Sequence, residues 1–297
     1  MEEKVMAEFR KVVIIGVGLI GGSLAMVLRE KGMAKRVVGV GRGVENLETA
    51  LSRGIIDEYT HDPKEAVVGA DFVVIATPVC TIERIVRDIA PRLEEGVVVT
   101  DVGSVKGAIV EAVESLMPED AFFVAAHPIA GTENSGAEAA FPALFSNRVC
   151  IITPTEKTDG KALERVTRIW KAAGSYVVRM DGAKHDMILA AISHLPHVVV
   201  YSLVNTVAGV GEDNEDVLNY SAGGFTDFTR IASSSPEMWR DICLMNREAL
   251  IKVIDSFQER VERIRGLIEE GDSAALAEEF RKAKLFRDSL RGNEGRG

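Results

Sequence analysis

Three cysteines in 297 residues, Cys80, Cys150 and Cys243, are too few and too far apart for a disulfide framework or a Cys-based zinc site. Basic charge is scarce as well. With 35 Lys and Arg against 45 Asp and Glu, the formal net charge is −10. A nucleic-acid partner, whose phosphates call for clustered Lys and Arg, is therefore excluded. The first ten residues mix Glu, Lys, Arg and Met and lack the apolar core of a signal peptide. With so few thiols, that points to a reducing, cytoplasmic setting. Of the five histidines, His194 and His197 lie three apart with His185 upstream, but no Cys/His ligand spacing accompanies them. No metal is expected. Internal repeats and low-complexity segments are missing too.

One stretch, 187–210, has no Lys, Arg, Asp or Glu and is long enough for a spanning helix of about 20 residues. Yet it contains His194, Pro196, His197, Ser202 and Asn205, and it lacks basic flanks and aromatic belts. A helix buried in a protein core or a subunit interface is the better reading, with no membrane partner.

What is present is an alternation. Continuous Val/Ile-rich runs at 11–15, 36–40, 72–76, 97–101, 122–126, 149–153 and 176–179 read as strands covered on both faces. Helical patterns at 19–30, 44–53, 81–93, 105–116 and 160–173 lie between them. Strand, helix, strand in repetition predicts a doubly wound parallel sheet. Beyond about Met180 the strand signal stops, and helices are expected at 184–209, 215–218, 236–266 and 273–290. Leu250, Ile254, Phe257, Val261, Ile264 and Ile268 form the seam of a helix packed along a partner. Gly271 is placed to stop that helix, and Asp272 or Ser273 to cap the next. Two domains follow, 1–180 and 181–297.

Gly16-Val17-Gly18-Leu19-Ile20-Gly21 joins the first strand to the first helix at the spacing of a dinucleotide turn. Such glycines allow a tight bend and close approach of a pyrophosphate to the helix N-terminus. An acidic residue that would hold an NAD ribose is expected after the second strand; Gly41-Arg42-Gly43 stands there instead. Arg42 suits a 2′-phosphate or a stack on adenine, and a solvated loop residue is the alternative, so the coenzyme reading is NAD or NADP, leaning slightly to NADP or dual use.

Thr77-Pro78 ends the third strand and Asp101-Val102-Gly103-Ser104-Val105-Lys106 the fourth, where ligands of open α/β sheets bind. The fifth strand runs into His127-Pro128-Ile129-Ala130-Gly131-Thr132-Glu133, delivering an imidazole to the same edge. A proton acceptor facing a nicotinamide is the minimum equipment for oxidising an alcohol. Ser104 is placed to share a hydroxyl hydrogen bond with it, or to cap the helix that follows. Gly223-Gly224-Phe225-Thr226-Asp227-Phe228-Thr229-Arg230 reads as a loop presenting a carboxylate-binding guanidinium. An ordinary turn with a surface ion pair is the alternative.

Together with Ser193–His197 and Met238-Trp239-Arg240-Asp241, these motifs resemble the prephenate/arogenate dehydrogenase family of tyrosine biosynthesis along nearly the whole chain. The resemblance implies a Rossmann-type domain followed by an all-helical domain that builds a homodimer. It implies NAD(P)-dependent oxidative decarboxylation of prephenate, or of arogenate, with His127 and Ser104 catalytic. By the same resemblance His197, Arg230, Glu133, Asp227 and Gly223 meet the substrate, while Gly16, Gly18, Leu19, Ile20, Gly21, Arg42, Thr77, Pro78 and Asp101 meet the coenzyme. Two other readings stand beside it. One is a β-hydroxyacid-type dehydrogenase relying on Lys184, and the other is a dinucleotide-sensing protein without chemistry.

Overall fold

The computed structural model describes residues 7–132, 134–210 and 220–291. Glu133, the helix expected at 215–218 and the extreme C-terminal tail lie outside the described residues.

Six parallel strands form the main sheet in the order β3-β2-β1-β4-β5-β6. They are β1 (Val12–Ile15), β2 (Val37–Val40), β3 (Glu58–Thr60), β4 (Phe72–Ile75), β5 (Val98–Asp101) and β6 (Phe122–Val124). The continuous apolar runs have a plain cause. Val12, Ile14, Phe72 and Val74 pack into one core layer, and Val13, Ile15, Val73 and Ile75 into the other. Every side chain of β1, β2, β4 and β5 is buried. Helices α1 (Leu19–Glu30), α2 (Val44–Ser52), α3 (Pro63–Ala66), α4 (Ile82–Ile89) and α5 (Gly107–Glu114) fill the crossovers. Strand order reverses between β1 and β4, which opens the crevice at their carboxyl ends.

Two of the predicted strands, and the end of a third, do not continue this sheet. The run at 122–126 breaks at Ala125 into β6 and β7 (Ala126–Pro128). β7 joins β8 (Val149–Ile152) and β9 (Tyr176–Arg179) in a separate three-stranded sheet, antiparallel between β7 and β8. The short edge strand β3, with its half-buried Glu-Tyr-Thr, carries no apolar run and is absent from the sequence reading.

Helix α6 (Gly160–Ala172) links β8 to β9. Past it, α7 (Gly182–Leu189), a π turn (Ala190–His194) and α8 (Leu195–Ala208) follow without a break. This 27-residue stretch is apolar and long enough to cross a membrane, and 22% of its most apolar window is buried within the chain. Next come α9 (Gly223–Thr229) and α10 (Pro236–Met245). By packing, everything to Asn246 groups with the sheets, and Arg247–Gly297 forms a second compact unit. The sequence division near Asp181 instead marks the change from strands to helices.

The second unit contains α11 (Arg247–Glu270) and α12 (Ser273–Arg291). Gly271, at φ +68, ends the first, and Asp272 caps the second through Ala275 N at 3.0 Å. One continuous helix over 236–266 was expected. Asn246 breaks it at φ −102 and ψ 31, because its side chain is engaged elsewhere, as described below.

Candidate active site

The dinucleotide turn has the geometry its glycines suggest. Gly16 adopts φ +99, and a Cβ there would meet the Ala76 carbonyl oxygen at 2.4 Å. Gly18 has open space where its Cβ would be. The N-terminus of α1 has no side-chain cap and no acidic residue in its first turn. Its free N–H groups and partial positive charge suit a pyrophosphate, so the residues present fit a nicotinamide dinucleotide. Leu19 is buried and Ile20 half-buried at this terminus. A Cβ on Gly21 would lie 2.2 Å from the Gly16 carbonyl oxygen. Gly21→Ala should therefore cost about 1–3 kcal/mol of stability by overpacking and weaken coenzyme binding. Urea denaturation and a coenzyme titration check both effects.

Around the crevice, Thr77 is half-buried and Pro78 exposed, with the Thr77 hydroxyl accepting from Thr81 Oγ1 at 2.8 Å. Arg42 is exposed beyond β2, where the Gly41 carbonyl accepts from His61 Nδ1 at 2.7 Å. Asp101 faces inward. Its carboxylate is fully buried and accepts from the Lys106 ammonium, from Gly103 N at 2.8 Å and from Ala126 N at 3.3 Å. That carboxylate is committed to joining β5 to β7. Lys106 is fully buried in the same pair and held below the usual lysine range by burial, so it adds no open positive charge for an anion.

His127 lies in β7, paired with Ile151, with 8% of its surface exposed. Its Nδ1 is 2.8 Å from His185 Nε2. His185, fully buried on α7, places Nδ1 2.8 Å from Asp186 Oδ1. The Asp186 carboxylate accepts the backbone N–H groups of Lys106 and Gly107, each at 2.8 Å, and so caps α5 from outside. Ser104, half-buried, is not that cap. Burial pushes the His127 ring well below the usual histidine range, with help from neighbouring His185, Lys106 and His194. Burial alone would raise the Asp186 carboxyl. Hydrogen bonds from His185 and the two backbone amides outweigh it and hold the carboxyl low.

The π turn has its origin in Pro196, which has no N–H to give the Ile192 carbonyl. It brings both downstream imidazoles onto Trp239 of α10. His197 stacks on the indole at 3.5 Å between centroids, and His194 meets it edge-on at 6.0 Å. Asn246 Nδ2 contacts His194 Nδ1 at 3.0 Å and donates to the Asp186 carbonyl at 2.8 Å. His194 Nε2 and Trp239 Nε1 are enclosed without partners. Burial drives His194 down to about 4. Between that value and the unfolded value near 6.5, the unfolded chain binds the extra proton. Stability contributed by neutral His194 is therefore present above about pH 6.5 and lost as pH falls towards 4, at most about 1.4 kcal/mol per pH unit. Denaturation midpoints of the protein and of His194→Gln, compared from pH 7 to 4, should converge as pH falls.

A strap holds the segment after the His127 loop against the dinucleotide turn. Asn46 donates to the Val17 carbonyl and accepts from Ala137 N, both at 2.7 Å. Arg53 donates to the carbonyls of Ala137, Glu138 and Ala140, and Ser23 Oγ accepts from Phe141 N at 3.0 Å.

Not every expected residue is gathered in. Gly223, Asp227 and Arg230 are exposed on α9 and the turn after it, which pack against α8, the helix of His197. Glu133 lies outside the described residues. Lys184 is exposed and uses its backbone N–H to receive the Asp181 cap at 2.8 Å, so nothing marks it as an acid/base group. Among the described residues, no three His, Cys, Asp or Glu side chains are grouped to hold a metal. The sequence reading had assigned no role to Asp186, Trp239 or Asn246, and considered His185 only as a metal ligand.

Residues 24–179 match the prephenate dehydrogenase nucleotide-binding domain, and 181–282 the prephenate dehydrogenase dimerization domain. A prephenate dehydrogenase of Bacillus subtilis is 37% identical over 94% of this chain and 76% of its own length. A cyclohexadienyl dehydrogenase of Zymomonas mobilis is 34% identical over 96% of this chain and 98% of its own. The crystal structure of the A. aeolicus prephenate dehydrogenase, in complex with hydroxyphenyl propionate and NAD+, superimposes with a TM-score of 0.89. It is 38% identical and covers 95% of this chain and 98% of that one.

Proposed function

Because the chain belongs to the prephenate dehydrogenase family, a family of NAD-dependent oxidoreductases, we propose that it oxidises and decarboxylates prephenate with His127 as general base. The products are 4-hydroxyphenylpyruvate, carbon dioxide and the reduced coenzyme. One observation carries the assignment of the base: a buried imidazole, kept neutral, sits beside the carboxyl end of β5, with one nitrogen engaged by His185 and the other without a partner among the described residues.

The bound nicotinamide supplies a hydride acceptor for the carbinol carbon. His127 takes the hydroxyl proton as the ketone forms. Ser104, half-buried after β5, steadies the same hydroxyl. With the carbonyl conjugated to the ring carbon bearing carboxylate, the C–C bond to that carboxylate breaks, its electron pair completes the aromatic ring, and the resulting phenolate oxygen takes back the proton from His127. Aromatisation makes the step effectively irreversible. Arg230 takes a substrate carboxylate, with His197, Asp227, Gly223 and Glu133 lining the rest, and His197 is already fixed by its Trp239 stack.

The labour divides near Asp181, with coenzyme binding before it and substrate binding and dimerisation after it. Phe257, Val261, Ile268, Phe280, Leu285 and Phe286 are exposed on α11 and α12, apolar surface that a second copy would cover. Exposed Arg42, with no carboxylate beside it after β2, supports use of NADP as well as NAD. The enzyme works in the cytoplasm. A spectrophotometric assay crossing prephenate and arogenate with NAD and NADP tests the whole reading. Coenzyme reduction with prephenate is expected, with both coenzymes accepted. Reduction with arogenate alone would reassign the substrate, and none with either would leave a binding protein without chemistry.

A further inference from the structure

The geometry points to His185 and Asp186 as positioning residues that fix which nitrogen of His127 is free to take a proton. The inference rests on His127 being the base and goes beyond it by stating how that base is held.

The order of hydrogen bonds sets the tautomer. Asp186 is anchored on the α5 N-terminus by two amides, where the helix end favours a negative charge. An ionised carboxylate only accepts, so His185 Nδ1 must be the donor across 2.8 Å. In a neutral ring the other nitrogen then carries a lone pair, so His185 Nε2 accepts from His127 Nδ1–H, also at 2.8 Å. His127 Nε2 is left unprotonated. It is the nitrogen with no partner among the described residues, on a side chain that keeps 8% exposure. A free imidazole has no such constraint. The chain Asp186–His185–His127 presents the lone pair and, once His127 is protonated, places an acceptor and then a carboxylate behind the new positive charge.

Two glycines make the chain possible. A Cβ on Gly107 would sit 2.9 Å from Asp186 Oδ2, and one on Gly182 would sit 3.3 Å from the Gly107 Cα. A side chain at either position would crowd the close approach of α7 to the α5 N-terminus, where the carboxylate seats.

Three variants and one spectrum test this. His185→Leu, which cannot accept, should lower kcat by about 10–100-fold while KM changes little, the scale at which supporting hydrogen-bond partners act. His185→Gln, whose amide oxygen can accept in place of Nε2, should recover most of that loss. Leucine also deprives Asp186 of a donor, so the fall in kcat at nearly constant KM, together with the spectrum, separates positioning from a merely structural role. In 15N spectra of histidine-labelled protein, His127 Nδ1 should show a protonated-type shift and Nε2 an unprotonated one. The leucine variant should turn His127 towards the opposite tautomer. Wild-type kcat in His185→Leu, no recovery in His185→Gln, or a His127 protonated at Nε2 in the unsubstituted protein would each overturn the proposal. His127→Asn is the separate control: if it retained kcat, the base assignment itself would fail, whereas silent His185 variants beside an inactive His127→Asn would remove only the positioning role. The 15N spectrum needs no variant, so a variant that misfolds leaves the proposal exposed to refutation.

Discussion

His127→Asn should lower kcat by about 10²–10⁴-fold, the range that a well-placed general base contributes, and leave KM within a few-fold. Asparagine retains polarity and bulk but cannot take up a proton at neutral pH. The pH dependence gives a second reading of the same residue. A base must be unprotonated, so activity is lost as pH falls through its folded pKa. That value is pushed well below the ordinary 6.5 by burial and by His185, Lys106 and His194, while the Asp186 carboxylate stands behind His185. The acidic limb of kcat in the unsubstituted enzyme should accordingly lie below pH 6.5, with a flat profile from there to neutrality. A limb at or above 6.5, or substantial turnover in the asparagine variant, would send the search for the base elsewhere.

Arg230→Ala should act on the other kinetic constant. Truncating one partner of a charge pair buried on binding costs about 2–5 kcal/mol, or about 30-fold and upward in KM, with kcat changed less. The sequence reading gives a loop presenting the guanidinium, or a turn with a surface ion pair; in the single chain Arg230 is exposed, on a turn packed against α8. The lower end of the range is therefore expected, since water screens an exposed charge. With Lys106 sealed against Asp101, the proposed role leaves Arg230 more of the task of attracting an anionic substrate to a protein of net charge −10. Arg230→Lys should restore part of the affinity but not a bidentate grip. A KM unchanged in Arg230→Ala would assign the carboxylate to another residue.

How much of this was legible in the sequence depended on whether local chemistry spoke for itself. Strands β1, β2, β4 and β5 were plain, because burial on both faces writes a Val/Ile-rich run without alternation. The glycine turn was plain because its steric demands are local. β7 was not. Its switch to a second sheet depends on Ala126 N reaching Asp101 Oδ1, 25 residues away in sequence, which no periodicity reports. Asp101 misled for the same reason: a carboxylate at a strand end reads as a ligand group until Lys106 is seen closing on it. His185-Asp186 gave no motif, since its partners are backbone amides at 106 and 107. The one trace was a glycine at each close approach, Gly107 and Gly182, with the last charge before a long uncharged run falling on Asp186. Trp239 sat inside a recognised motif, but the stack that gives it a role is tertiary.

The wide turn at Ala190–His194 acts as a phase corrector. Twelve residues separate His185 from His197, and a regular α-helix, advancing about 100° per residue, would set them about 120° apart. A π turn absorbs one extra residue, which brings them to within about 20°. The imidazole of His185, proposed to steady the base, and that of His197, proposed to face the substrate, thus stand along one stripe of a single rod. Their separation along its axis is gauged by the helical rise rather than by the joining of independent parts.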